Sequence, residues 1–213
     1  MLKKLREPIN GFTHFLGIIF AIAAFILLQT RNNLPLTDLH VVTFTIYTLA
    51  MFALFSASTL YHWLPIEGDK LLIFRKLDHI MIFVFIAASY TPICTIVLKG
   101  SVGYILVGIV WGMALGGFFM KLFWLNAPRF LYTSIYLIMG WVVVFAIYPL
   151  IKAFSSAGLI WFAIGGVFYT VGAVIYAIKK PNFFNGKLGF HEIFHIFILL
   201  GAIAHFMMNY LEV

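Results

Sequence analysis

The chain has 213 residues, 63% of them hydrophobic and 10% charged, with a mean hydropathy of +1.05. A soluble domain carries roughly 25% charged residues, so this composition argues against a soluble protein and for an integral membrane one. The formal net charge is +7, with no run of basic residues interleaved with aromatics on a polar face; that points to loops against anionic lipid and away from nucleic acid.

Crossing a bilayer as a helix takes about 20 apolar residues. Seven stretches qualify: 11–29, 39–61, 77–98, 103–123, 131–150, 156–178 and 190–211. None alternates as a lipid-facing barrel strand does, so the expected fold is all-α, a seven-transmembrane-helix bundle filling residues 1–213 as one domain. The first stretch follows a basic start, as in a signal peptide. It is nevertheless as long as a full span, with no small-x-small cleavage site before Thr30, and reads as a retained helix. Asn10 and His14 share a face at its start and could support a nearby site or be ordinary interfacial polarity.

The second stretch has His40 at its outer edge, where it reads as an interface residue. It closes on "STLYH", in which Ser58 and His62 are one helical turn apart. A short charged loop follows, and Asp78 opens the third stretch; the adjacent His79 points about 100° away from it. Pro92 and Pro149 fall inside or at the ends of spans, where a kink or stop is expected, while Pro35, Pro65, Pro128 and Pro181 fall in connections. The single cysteine, Cys94, rules out an intrachain disulfide and a cysteine-based zinc site, and reads as a buried apolar residue. The last stretch opens on "HEIFH", and His205 lies about 15 Å further along it.

Basic residues set the expected orientation. Lys3, Lys4, Arg6, Lys70, Arg75, Lys76, Lys121, Arg129, Lys179, Lys180 and Lys187 fall on the side of the N-terminus, and Arg31, Lys99 and Lys152 on the other. Eleven against three is a strong positive-inside asymmetry, placing the N-terminus in the cytoplasm and the C-terminus outside, in a multi-pass protein of the cell membrane. His62, Asp78, His191 and His195 then share the cytoplasmic ends of their helices.

His191 and His195, four residues apart, project from one helix face as a zinc chelate does, and His62 is the natural third ligand. A lone intramembrane histidine is usually a packing residue bonded to a neighbouring helix. Three at one depth, two at chelate spacing, point instead to a metal. Asp78 is not stable as a bare carboxylate in lipid; beside such a centre it can accept a proton from water. Ser58 reads equally as a functional contact or as a packing serine bonded to its own backbone. "HEIFH" also fits the H-E-x-x-H pattern of zinc proteases, with Glu192 as base. The candidate partners Ser58, His62 and Asp78 lie upstream, which favours Glu192 as an interfacial or supporting acid over a protease base.

"EPINGFTHFLG", "SASTLYHWLP", "KLDHIMIFVFIAASYTPIC" and "HEIFHIFILLGAIAHF" together resemble the hemolysin III family, the prokaryotic branch of the progestin and adipoQ receptors, which include the adiponectin receptors and are grouped with the alkaline ceramidases. The resemblance spans essentially the whole chain. It implies a seven-helix fold with zinc near the cytoplasmic face, held by His62, His191 and His195, with Asp78 holding the water at the metal and Ser58 in the same site. It further implies a zinc-dependent hydrolase of carbon–nitrogen (amide) bonds in lipids, with membrane lipid as partner and substrate; a homo-oligomer is compatible with it. Two other readings stand beside the enzyme: a membrane-permeabilising cytolysin, as the family's name suggests, and a lipid or membrane-state sensor with structural zinc.

Overall fold

The computed structural model describes residues 5–31, 36–183 and 188–213. Lys3, Lys4, Pro35 and Lys187 lie outside the described residues. Seven spans make up the bundle: α1 (Pro8–Thr30), α2 (Asp38–Trp63), α3 (Gly68–Pro92) continuing as a π-helix (Ile93–Leu98), α4 (Gly100–Phe123), a fifth span made of α5 (Arg129–Trp141), a 3₁₀ turn (Val142–Ala146) and α6 (Ile147–Ala153), then α7 (Ser156–Ile178) and α8 (Phe190–Glu212). All seven are long and apolar enough to cross a membrane. Large apolar side chains such as Phe145 (88% exposed) and Phe123 (81%) point outward, as a bilayer solvent allows and water does not. The molecule is an all-α seven-span membrane bundle.

The largest departure from the expected boundaries is α3. The segment read as a charged loop is helical from Gly68, so Asp78 lies nearly three turns inside the helix instead of opening it. Hydropathy detects the lipid-facing part of a helix, not the helix. Residues 69–77 carry Asp69, Lys70, Arg75 and Lys76 among good helix formers, so they are helical but too polar to register as a span.

Both intraspan prolines disturb their helices as their chemistry requires. Pro92 has no N–H to give the Ala88 carbonyl, and the helix widens to π geometry just beyond it. Upstream of Pro149 the chain tightens into the 3₁₀ turn. The Tyr90 hydroxyl enters that break, donating towards the Met139 and Gly140 carbonyls (2.9 and 2.7 Å) and accepting the Val143 N–H (3.1 Å). Backbone groups freed inside the membrane are thereby satisfied.

Helices α7 and α8 form the closest pair, and small residues make it so. Gly201 on α8 seats the Tyr169 ring of α7, and Gly165 on α7 seats the His205 ring of α8. A Cβ at Gly201 would lie 2.6–2.8 Å from three Tyr169 ring carbons. Gly201→Ala should therefore cost about 1–3 kcal/mol by overpacking. A thermal melt of the purified variant should show a midpoint several degrees below the parent; an unchanged midpoint would mean the pair is not tightly packed.

End contacts fix the bundle's register. At the end remote from the N-terminus, Arg31 is buried and donates to the Asn209 and Tyr210 carbonyls (3.3 and 3.4 Å), closing the last turn of α8. The Glu212 carboxylate accepts the Ser155 N–H (2.9 Å) and hydroxyl, while Ser155 Oγ caps the Gly158 N–H of α7 (3.2 Å). His40, read as an interface residue, bonds the Thr37 hydroxyl through Nδ1 (2.7 Å) at the start of α2. Lys121, counted among the basic residues on the side of the N-terminus, is fully buried in α4, with Nζ 3.4 Å from the centroid of the Tyr132 ring.

Candidate metal centre

The last turn of α2 and the first two turns of α8 meet at the end of the bundle that holds the start of α1. They bring His62, His191 and His195 together, with one ring nitrogen from each within 4.8 Å of the others. His62 Nε2 and His191 Nε2 face one another at 3.5 Å. Three imidazoles converging in one pocket are otherwise a poor packing choice. A metal resolves the geometry, because each lone pair then has an acceptor for its charge.

The surroundings fix which nitrogen of two of the rings is free. His62 Nδ1 donates to Glu7 Oε2 at 2.7 Å, which leaves the Nε2 lone pair for a ligand. Glu7 sits just before the first span, and the bond from His62 is the main cause that pulls its carboxyl down to about 2. It is therefore a full carboxylate at neutral pH. Asn10 Nδ2 donates to the same oxygen at 3.0 Å. His195 Nδ1 lies 3.2 Å from the Asn10 backbone carbonyl, an acceptor only, so it too is the protonated nitrogen. A carboxylate and a carbonyl behind two imidazoles are the supports expected of metal-bound histidines. The residues present fit a zinc ion.

The N-terminal segment is clamped to α2 to deliver Glu7. The Glu7 N–H donates to the His62 carbonyl (2.9 Å), Arg6 Nη2 donates to the Tyr61 carbonyl, and Trp63 Nε1 donates to the Pro8 carbonyl (3.2 Å). Pro8 in the first turn of α1 suits a helix start, and Gly11 leaves the space that the Trp63 indole fills. Asn10 and His14, read as either site support or interfacial polarity, are both buried against the histidines. Both are 3% exposed, and the His14 ring stacks on His195 at 3.8 Å and 12°.

Asp78 and Ser58 are both buried, and both line a cavity that His191 and His195 also line. Asp78 falls outside the group of mutually close ligand atoms, so it stands off the centre. Glu192 Oε2 accepts the Gly189 N–H at 2.8 Å, closing the first turn of α8; its carboxylate is occupied as a helix cap. His79 turns away from the triad, with its ring against Tyr132 (5.4 Å) and its carbonyl accepting from Tyr136 (3.1 Å). His205 packs against Phe162 and Tyr169.

Two spaces adjoin the histidines. A polar vestibule of about 440 Å³ is lined by Glu7, His62, Arg75, Asp78, Arg129 and His191, among others. An apolar cavity of about 560 Å³ runs from Ser58, Asp78, His191 and His195 past Phe85, Ile86 and Phe162 to Ile151 and Leu159. Asp78, His79, Tyr132, Tyr176 and His191 line both.

A family profile described as Haemolysin-III related matches residues 2–206. The chain belongs to this family. Hemolysin-3 homolog of Bacillus subtilis (strain 168) and Hemolysin-3 of Bacillus cereus are each 37% identical over 208 residues, covering 97% of this chain and 93% and 91% of theirs. Monocyte to macrophage differentiation factor of Homo sapiens is 27% identical over 202 residues, covering 92% of this chain and 80% of its own. No solved structure matches the chain.

The residues that sequence reasoning passed over are Glu7, Tyr132 and Tyr176. Glu7 is one of seven acids in the chain, and it immediately precedes a helix-starting proline. That scarcity was the available signal. The tyrosines, whose hydroxyls lie 3.2 Å apart, carried none, because ten tyrosines in an apolar chain look alike until a cavity selects two.

Proposed function

We propose that this member of the haemolysin III family is a zinc-dependent hydrolase of lipid amides in the cell membrane. The observation that carries the reading is the position of the three histidines at the junction of an apolar cavity and a polar vestibule, with Asp78 in the wall of both. An amide-linked lipid has the same division, with a chain for one space and a polar half for the other. The cavity volume falls in the roughly 300–1,000 Å³ range of small-molecule sites. Trp141, Ile151 and Val167, which line it, are more than half exposed, which suits entry of a lipid between the fifth span and α7.

His62, His191 and His195 would hold the ion, with Glu7 and the Asn10 carbonyl keeping two of the rings in the ligating tautomer. Zinc bound there supplies Lewis acidity at the carbonyl. Asp78 takes a proton from water as the water oxygen adds to the carbonyl carbon. It returns that proton to the nitrogen as the C–N bond breaks, leaving a carboxylic acid and an amine. The Ser58 hydroxyl, buried and without a hydrogen-bond partner within reach in this structure, is available to donate to the oxygen that gains charge.

The test is turnover of N-acyl lipids by purified protein, stopped by a chelator and restored by zinc. Absence of turnover across such lipids, with zinc bound, would sink the hydrolase reading. Hemolysin-3 of Bacillus cereus carries a different activity in its name, which makes membrane permeabilisation the second reading for this chain. Dye leakage from liposomes without any hydrolysis would favour it.

The proposed orientation follows from the basic residues: N-terminus and histidines on the cytoplasmic side. A reporter fused after Val213 should be active only outside the cell, and one inserted at Asp69 only inside. The reverse pattern would move the site to the outer face.

A further inference from the structure

The vestibule holds two guanidiniums without carboxylate partners. Among the described residues, the ion pairs are Arg6–Glu7 (3.8 Å) and His62–Glu7 (2.7 Å); neither includes Arg75 or Arg129. Arg75 reaches only the Asn126 side-chain oxygen, at 3.4 Å, and Arg129 only the Tyr176 carbonyl, at 3.3 Å. Each guanidinium has five N–H donors, so most of them are free.

The vestibule's own carboxylates do not use these donors. Glu7 is held by His62, Asn10 and Arg6, Glu192 by the Gly189 amide, and Asp78 lies buried in the vestibule wall. An arginine that merely anchors a span would extend outward to the lipid head groups. Arg129 instead turns inward across the Tyr176 and Phe190 rings, at 4.5 and 5.2 Å from their centroids. Stacking of this kind fixes the plane of a guanidinium and leaves its edge to bind a ligand.

We infer that Arg75 and Arg129 form a subsite for an anionic group, phosphate or carboxylate, on the amine half of the lipid. The inference rests on the proposed hydrolase reading, which places the acyl chain in the apolar cavity and so leaves the amine half to the vestibule. Planar guanidiniums bind both oxyanions through paired, charge-assisted hydrogen bonds. The substrate class is thereby narrowed to N-acyl lipids whose amine part is acidic, such as N-acyl amino acids or N-acyl phosphoethanolamines. A neutral amine half would leave the two charges unused.

The test compares three probes sharing a dodecanoyl chain: N-dodecanoylglycine, N-dodecanoyl phosphoethanolamine and the uncharged N-dodecanoyl ethanolamine. Binding to the full chain in nanodiscs of zwitterionic lipid is read from tryptophan fluorescence, and turnover is followed separately. Both acidic probes should bind at least about tenfold more tightly than the neutral one. In an Arg75→Gln, Arg129→Gln double variant that ratio should fall to near one. Binding of the neutral probe reports in the same sample that the variant is folded, and Arg129→Lys provides a milder check if the double variant is not.

A parent without preference for the acidic probes, or a preference that survives in the double variant, overturns the inference and leaves the hydrolase reading intact. Arginine-dependent preference without turnover of any probe supports the subsite and removes the hydrolase reading. If inorganic phosphate alone raises the melting temperature through these arginines yet does not compete with the acidic probes, the arginines serve a free anion and the lipid assignment fails.

Discussion

Protein carrying His191→Ala or His195→Ala should be purified nearly free of zinc, while the parent holds about one ion per chain. The three side chains supply one nitrogen each within a 4.8 Å group, and no other His, Cys, Asp or Glu among the described residues joins them. Removing one leaves two ligands, too few for a structural or a catalytic zinc site. His62→Ala should do the same. Glu7→Gln keeps all three ligands but weakens the acceptor behind His62, so a smaller loss of affinity, about 10–100-fold, is expected. Elemental analysis of the purified variants decides between these outcomes. The ion would tie α2 to α8, so a chelator should also lower the parent's melting temperature and leave the histidine variants unmoved. Full zinc occupancy in His195→Ala would move the metal to other ligands and undo the site.

The second large effect concerns Asp78. Asp78→Asn should retain zinc yet lose amide hydrolysis by about 10²–10⁴-fold. Asn has nearly the same size and can still hydrogen-bond, but it cannot accept a proton. Binding and turnover should therefore separate in this variant and fail together in His62→Ala. The separation is expected because Asp78 stands outside the ligand group while lining both spaces that meet at it. Zinc content and turnover are measured on the same preparation. An Asp78→Asn protein as fast as the parent would remove the general-base assignment. Loss of zinc with loss of turnover would make Asp78 a ligand instead.

Much of this protein is legible in the local chemistry of its sequence. Long apolar runs identify the spans because a bilayer core leaves helices no other solvent, and the seven runs correspond to the seven spans found. His191 and His195 fall on one helix face by spacing alone, whatever surrounds them. The intraspan prolines announce a disturbed helix for the same reason, since a missing N–H is a property of the residue. His62 joins the set because its span ends at the same depth, which follows from the alternating direction of successive helices.

What only the tertiary structure decided depends on contacts between distant parts of the chain. Glu7 and His62 are 55 positions apart, and their pairing follows from the way the N-terminal segment lies across the end of α2. His14 stacks on His195 only because α1 packs beside α8. The cavity, and with it the importance of Tyr132 and Tyr176, comes from the spacing between α3, the fifth span, α7 and α8, which no single segment encodes. The start of α3 was hidden for another reason. Its first turns are helical but rich in charged residues, and hydropathy records a residue's preferred solvent, not its backbone conformation.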